Sequence, residues 1–139
     1  MMPQDYDREI ADKLRTAGLR PTRQRVALAQ MLFDAGDRHV TAEELHEEAV
    51  QARFPVSLAT VYNTLNQFTT AGLLREVAID GAKTYFDTNT SNHYHFYVES
   101  EGTLIDIPTD DLSVIGLPDA PDGTSISRID VIVRLRDTR

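Results

Sequence analysis

The sequence predicts an α+β chain in two parts, on three observations. Up to about residue 70, apolar positions recur at helical spacing between breakers at Gly18, Pro21, Gly36, Pro55 and Gly72. From residue 73 onward the chain turns to strand-like segments, LLREVAI, KTYFD and the terminal SISRIDVIVRLR. Between them an all-polar stretch, TNTSN at 88–92, reads as a hinge joining lobes at 1–87 and 93–139.

Each element has its own signal. Ile10, Leu14 and Ala17 mark a first helix, stopped by Gly18. Pro21 stiffens the next loop, and Thr22 caps a second helix carrying Val26, Leu28, Ala29, Leu32 and Phe33, halted near Gly36. Thr41-Ala42-Glu43-Glu44 has the capping-box pattern, with Leu45, Ala49 and Val50 behind it. After Pro55, Ser57 caps a fourth helix whose Leu58, Val61, Leu65 and Phe68 form one apolar stripe, and Gly72 ends it. Asp80-Gly81 between LLREVAI and KTYFD is a hairpin signal. A helix, a short break, a second amphipathic helix and a hairpin is the layout of a winged helix-turn-helix.

Beyond the hinge, strands are expected at 93–98 and 103–107, with a short helix near Asp110–Ile115. In the last strand Ile129, Val131, Val133 and Leu135 share a face. A lobe of about fifty residues buries little core alone. Its apolar face is expected to meet a second copy, which makes it a small α/β dimerisation lobe.

Composition narrows the classes. No apolar run is long enough to span a bilayer, and MMPQDYDREI has no apolar signal region, so a cytoplasmic chain with no membrane partner is expected. The absence of cysteine removes disulfides, thiolate zinc sites and cysteine nucleophiles together. A net charge of −8 argues against nucleic acid only as a sum. Residues 86–139 hold 4 Lys and Arg against 10 Asp and Glu, whereas residues 1–85 hold 10 against 12. Lys13, Arg15, Arg20, Arg23 and Arg25 follow one another with no acid between. Local potential matters more for phosphate than the sum does, although a solvated helix end carries similar charges.

In SLATVYNTLNQF, Ser57, Ala59, Thr60, Tyr62, Asn63 and Thr64 lie near or off the apolar stripe. A recognition helix presents its N-terminal residues to base edges in the major groove of double-stranded DNA. Ala59, Thr60 and Tyr62 suit thymine methyls, and Asn63 suits an adenine edge. Arg20, on its Pro-stiffened loop, suits a phosphate or the minor groove, and Lys83 suits a backbone contact from the wing. A plain amphipathic helix with its polar face in water has the same pattern.

The segment RHVTAEELHEEAVQARFPVSLATVYNTLNQFTTAGLL resembles the DNA-binding domain of the ferric uptake regulator (Fur) family, and GLRPTRQR resembles the stretch before that family's second helix. The likeness continues through YFDTNTSNHYHF and LIDI. Within the family, PVSLATVYNTLNQ, the lack of cysteine and the ending VIVRLR are most similar to the iron response regulator (Irr) branch. The resemblance implies a dimeric, iron- or haem-responsive transcriptional regulator of iron and haem metabolism genes, not an enzyme. Tyr62 is then the implied base contact and Arg20 the groove contact. Asn63 replaces an arginine frequent in the family, which alters the expected operator.

His93 and His95, two apart on a strand, share a face with roots about 6–7 Å apart and can reach one ion. Half-exposed strand histidines would give the same spacing. The family's regulatory site, matched position by position, implies His39, Asp87, His93, His95 and Asp106 as ligands. Three imidazoles and two carboxylates suit Fe²⁺, Mn²⁺ or Zn²⁺. His46, among Glu43, Glu44, Glu47 and Glu48, reads as part of a solvated face.

The family's structural zinc site needs CxxC pairs, the first of which falls at Val98 and Glu101, so it is absent. Without a Cys-Pro motif, any haem is expected at His93 and His95. Asp87 also resembles the peroxide-sensing branch, so a peroxide-sensing repressor is the alternative. A non-haem iron oxygenase, built on two histidines and a carboxylate, would leave the helical half unexplained.

Overall fold

The computed structural model describes residues 4–79 and 83–138. The chain divides into two compact units, Met1–Thr90 and Ser91–Arg139, and the division falls inside the polar 88–92 stretch.

The first unit runs α1 (Gln4–Thr16), α2 (Arg23–Phe33), β1 (His39–Val40), α3 (Ala42–Gln51), α4 (Leu58–Thr70), β2 (Arg75–Ile79) and β3 (Lys83–Asp87). Its caps are those the sequence predicts. The Thr22 side chain accepts from the Arg25 N–H, Thr41 and Glu44 form a reciprocal capping box, and Ser57 accepts from the Thr60 N–H. Each satisfies donors that a helix start leaves without an intrahelical partner.

Three helices end alike. The Leu19 N–H returns to the Leu14 carbonyl, Phe54 to Ala49 and Leu73 to Phe68. This closure puts one residue in the left-handed region. Gly18 and Gly72 occupy it at φ 85°, but in α3 the position falls to Arg53 at φ 58°.

The apolar stripes meet in one core that joins Leu14, Leu28, Leu32, Leu45, Val61, Leu65, Phe68 and Phe86. Two expectations fail at its margin. Thr64 is buried, because at i+3 from Val61 it falls on the inner face, whereas Val50 is 53% exposed on the outer face of α3. The three strands form an antiparallel sheet ordered β1-β3-β2. The Ile79↔Lys83 register closes the β2–β3 hairpin, although its Asp80-Gly81 turn lies outside the described residues. The two-residue β1 is too short to leave a period in the sequence.

The second unit contains β4 (Tyr94–Val98), β5 (Thr103–Ile107) and β6 (Ile132–Leu135) in the order β5-β4-β6. β4 pairs antiparallel with β5 and parallel with β6. In place of a helix at 110–115 there is one 3₁₀ turn, Thr109–Asp111. The last strand is shorter than its alternation suggests, since pairing begins where the His95 N–H meets the Val131 carbonyl. Among the described residues of this unit, Leu104 and Ile107 of β5 are the buried hydrophobic ones, while Ile105 is 49% and Ile115 is 87% exposed.

Candidate metal centre and nucleic-acid interface

The strand registers assemble a candidate half-site in each unit. In the first, His39 on β1 and Arg75 on β2 both stand opposite Asp87 on the central strand β3. Opposed residues of an antiparallel pair project to the same face, so the His39, Asp87 and Arg75 side chains leave one face of the sheet. His39 Nε2 is 3.5 Å from Asp87 Oδ2. Asp87 is 1% exposed, and its other oxygen accepts the Asn89 N–H at 2.9 Å.

The residues beside His39 and Asp87 lock the strands. The Arg38 N–H donates to Thr88 Oγ1 at 2.9 Å, and the Thr88 N–H returns to the Arg38 carbonyl at 3.0 Å. The Arg38 guanidinium forks onto the Glu48 carboxylate and donates to the Met31 carbonyl. A planar fork of this kind holds geometry better than a lysine would.

In the second unit His93 lies just before β4 and His95 within it, directly opposite Asp106 on β5. Asp106 Oδ1 is 3.5 Å from His93 Nε2 and 3.4 Å from His95 Nε2. The two rings are 4.6 Å apart at 61°. His93 Nδ1 lies 2.7 Å from the Ser91 carbonyl. A carbonyl only accepts, so Nδ1 is the donor, which in a neutral ring leaves the Nε2 lone pair for a metal.

These separations are long for N–H···O hydrogen bonds, which centre near 2.9–3.0 Å. Ligands held about 2.1 Å from one ion sit about 3.0–3.4 Å apart at octahedral to tetrahedral angles. The spacing therefore fits a coordination shell, and the nitrogen and oxygen donors fit Fe²⁺, Mn²⁺ or Zn²⁺. Haem does not fit this arrangement. Both Nε2 atoms converge on one carboxylate oxygen, and His93 and His95 are only 4% and 3% exposed, so a porphyrin would have to displace Asp106 and turn a ring outward.

The helix expected to read DNA presents Ser57, Ala59, Tyr62 and Asn63 as exposed residues, with Thr60 half-buried. The Ser57 hydroxyl also donates to Thr60 Oγ1 at 3.0 Å. Arg20, before α2, and Lys83, at the start of β3, are exposed. Arg25 ties the Arg20 loop to α4: Nη1 donates to the Arg20 carbonyl at 2.9 Å, while Nε and Nη2 donate to Gln67 Oε1 at 3.2 and 3.0 Å.

Two contacts escape the sequence. The Tyr62 hydroxyl donates to Glu43 Oε2 at 2.9 Å. That bond to a carboxylate, then burial, then the charge of Glu43 push the phenol above its ordinary value. His46 Nε2 lies 3.1 Å from the Val56 carbonyl, so it fastens the α3–α4 turn instead of standing in water. Neither has a local sequence signal, because each partner comes from another element.

Residues 16–131 match the Ferric uptake regulator family. The chain belongs to the ferric uptake regulator family. It is thus a metal-responsive transcriptional regulator and not an enzyme. It is similar to the peroxide-responsive repressors PerR of Staphylococcus epidermidis and Staphylococcus aureus. The first is 36% identical over 107 residues, 74% of this chain and 70% of that one. The second is 38% identical over 108 residues, 77% and 72%. It also resembles the structure of the ferric uptake regulator from Pseudomonas aeruginosa with manganese, at TM-score 0.69 and 28% identity, covering 92% of this chain and 97% of that one. The fold is accordingly a winged helix-turn-helix followed by the small C-terminal unit. Among the described residues no helix is long and apolar enough to cross a membrane.

Proposed function

We propose that the chain is a dimeric DNA-binding regulator gated by one divalent ion, held by His39 and Asp87 of the first unit and His93, His95 and Asp106 of the second. The observation that carries this reading is the 3.4–3.5 Å spacing between imidazole and carboxylate in both half-sites. Asp87 and His93 are six residues apart, about 20 Å of fully extended chain at most, so both sets are tethered within reach of a common ion.

An ion ligated from both units restricts the angle between them. Two recognition helices in a two-fold dimer must meet major grooves about 34–36 Å apart, or a multiple of that. A ligand favouring the matching posture shifts DNA affinity, typically by about 1–3 kcal/mol of coupling. The exposed apolar residues of the second unit support its role as the dimer lobe.

The test is Mn²⁺ stoichiometry by equilibrium dialysis, together with DNA shifts of the apo and Mn²⁺-loaded forms. One ion per chain is expected, lost equally on His39→Ala and on His95→Ala, with loss of the metal-dependent shift. Two ions, one surviving in each variant, would mean independent sites and no clamp.

We read the signal as iron availability, sensed as occupancy of this site, on the likeness to the iron response regulator branch. Haem at His93 and His95 is not part of the mechanism. A second reading, peroxide sensing, is favoured by the staphylococcal relatives. Peroxide treatment of the Fe²⁺-loaded chain separates the two. Oxygen addition at His39 or His93 with loss of DNA binding supports the peroxide reading; an unmodified chain that still follows iron supports the first.

A further inference from the structure

We propose that Glu43 is a specificity-determining residue of the DNA interface: it holds the Tyr62 phenol against α3 and sets a carboxylate beside the reading helix. The inference rests on the DNA-binding reading above. Tyr62 is 38% exposed on the outer face of α4, where a side chain free to rotate would have to be ordered on binding. Instead its hydroxyl is fixed by a 2.9 Å bond to Glu43, nineteen residues earlier in the chain.

Among the described residues, the other structural bonds of the α3 acids fall to Glu44, in the capping box, and Glu48, in the ion pair to Arg38. An acid in the first turn of a helix is favourable in itself, but that would hold whether or not it reached Tyr62.

Two consequences oppose each other, and together they produce selectivity. A pre-positioned phenol strengthens contact with the right base edge, because its order is established before binding. A carboxylate at the same place repels phosphates on every sequence. Non-specific DNA meets only the repulsion, whereas the operator also gains the ordered tyrosine. The ratio of the two affinities rises.

The test uses the Mn²⁺-loaded full chain, a duplex of about 30 bp selected by that chain from a random pool, and calf-thymus DNA. Glu43→Gln keeps a hydrogen-bond acceptor and loses the charge. It should raise calf-thymus affinity about three- to tenfold and the selected duplex by less. Glu43→Ala should gain the same non-specific affinity and also weaken the selected duplex. Unchanged ratios in both variants overturn the proposal. NMR titration of the Tyr62 ring supplies a readout without DNA. Glu43→Gln should return the phenol toward its ordinary value, and no movement would mean that the bond is absent in solution. If the wild type selects no duplex, or Tyr62→Ala still prefers it, the DNA reading of α4 fails; if only the Glu43 variants are silent, this inference alone fails.

Discussion

His95 on β4 and Asp106 on β5 face each other directly across an antiparallel ladder, with Nε2 and Oδ1 3.4 Å apart. The same oxygen lies 3.5 Å from His93 Nε2, so one carboxylate collects both imidazoles of the second unit. Asp106→Asn keeps the shape and removes the charge that a cation needs. Loss of a supporting group around a metal ligand typically reduces affinity about 10–100-fold, and loss of a charged ligand should do no less. Mn²⁺ affinity is expected to fall by at least about tenfold. The Asp106 side chain is 44% exposed, so the metal-free unfolding midpoint should barely move. Wild-type Mn²⁺ affinity in a competition titration would remove Asp106 from the ligand set.

Arg53 sits where α1 and α4 place glycine. An L-residue in the left-handed conformation is strained by roughly 1–2 kcal/mol, whereas glycine's extra freedom in the unfolded chain offsets roughly 0.5–1 kcal/mol of any relief. Arg53→Gly should therefore stabilise the chain by about 0.5–1 kcal/mol, read as a higher urea midpoint at constant slope. A lower midpoint would mean that the Arg53 side chain makes contacts worth more than the strain.

What the sequence discloses follows from how far apart the determinants lie. Thr22, Thr41 and Ser57 act on N–H groups three residues away, so local pattern suffices to find them. The stripe of α4 likewise reports its own burial. The two-residue strand at His39–Val40 has no period of its own, and it exists because β3 offers an edge. His93 and His95 can be read as a pair from spacing, but their convergence on Asp106 depends on register. The Arg25–Gln67 and Tyr62–Glu43 contacts join residues 42 and 19 positions apart, and each residue alone resembles ordinary solvated polarity. The helix expected at 110–115 is a single 3₁₀ turn, Thr109–Asp111, and Ile115 beyond it is 87% exposed.

The caps should separate folding from reading. Thr41 is 8% exposed, and its capping box combines a 3.1 Å bond from the Glu44 N–H with a 2.8 Å bond to the Glu44 carboxylate. Thr41→Ala should destabilise by about 1–2 kcal/mol. Ser57→Ala should cost about 1 kcal/mol, but it frays the end of α4 that carries Ala59, Tyr62 and Asn63. Its loss of affinity for a selected duplex should exceed that of Thr41→Ala, even though its loss of stability is smaller. Equal losses of DNA affinity would mean that the start of α4 is not at the interface.

Salt dependence tests the basic residues one by one. Each phosphate contact contributes about 0.9 to the slope of log affinity against log salt on duplex DNA. Arg20→Ala and Lys83→Ala should each flatten the slope by about that amount. Arg134→Ala serves as a control in the second unit, where that guanidinium pairs with Glu99 at 3.3 Å and lies over Tyr97; its slope should match the wild type. Arg25→Ala is the sharper case. Its guanidinium is engaged by Gln67 and by the Arg20 carbonyl, so its effect should pass through the loop it holds. Arg25→Ala should reproduce the Arg20→Ala slope, and adding Arg20→Ala to it should change little more. An additive double variant would instead make Arg25 a phosphate contact in its own right.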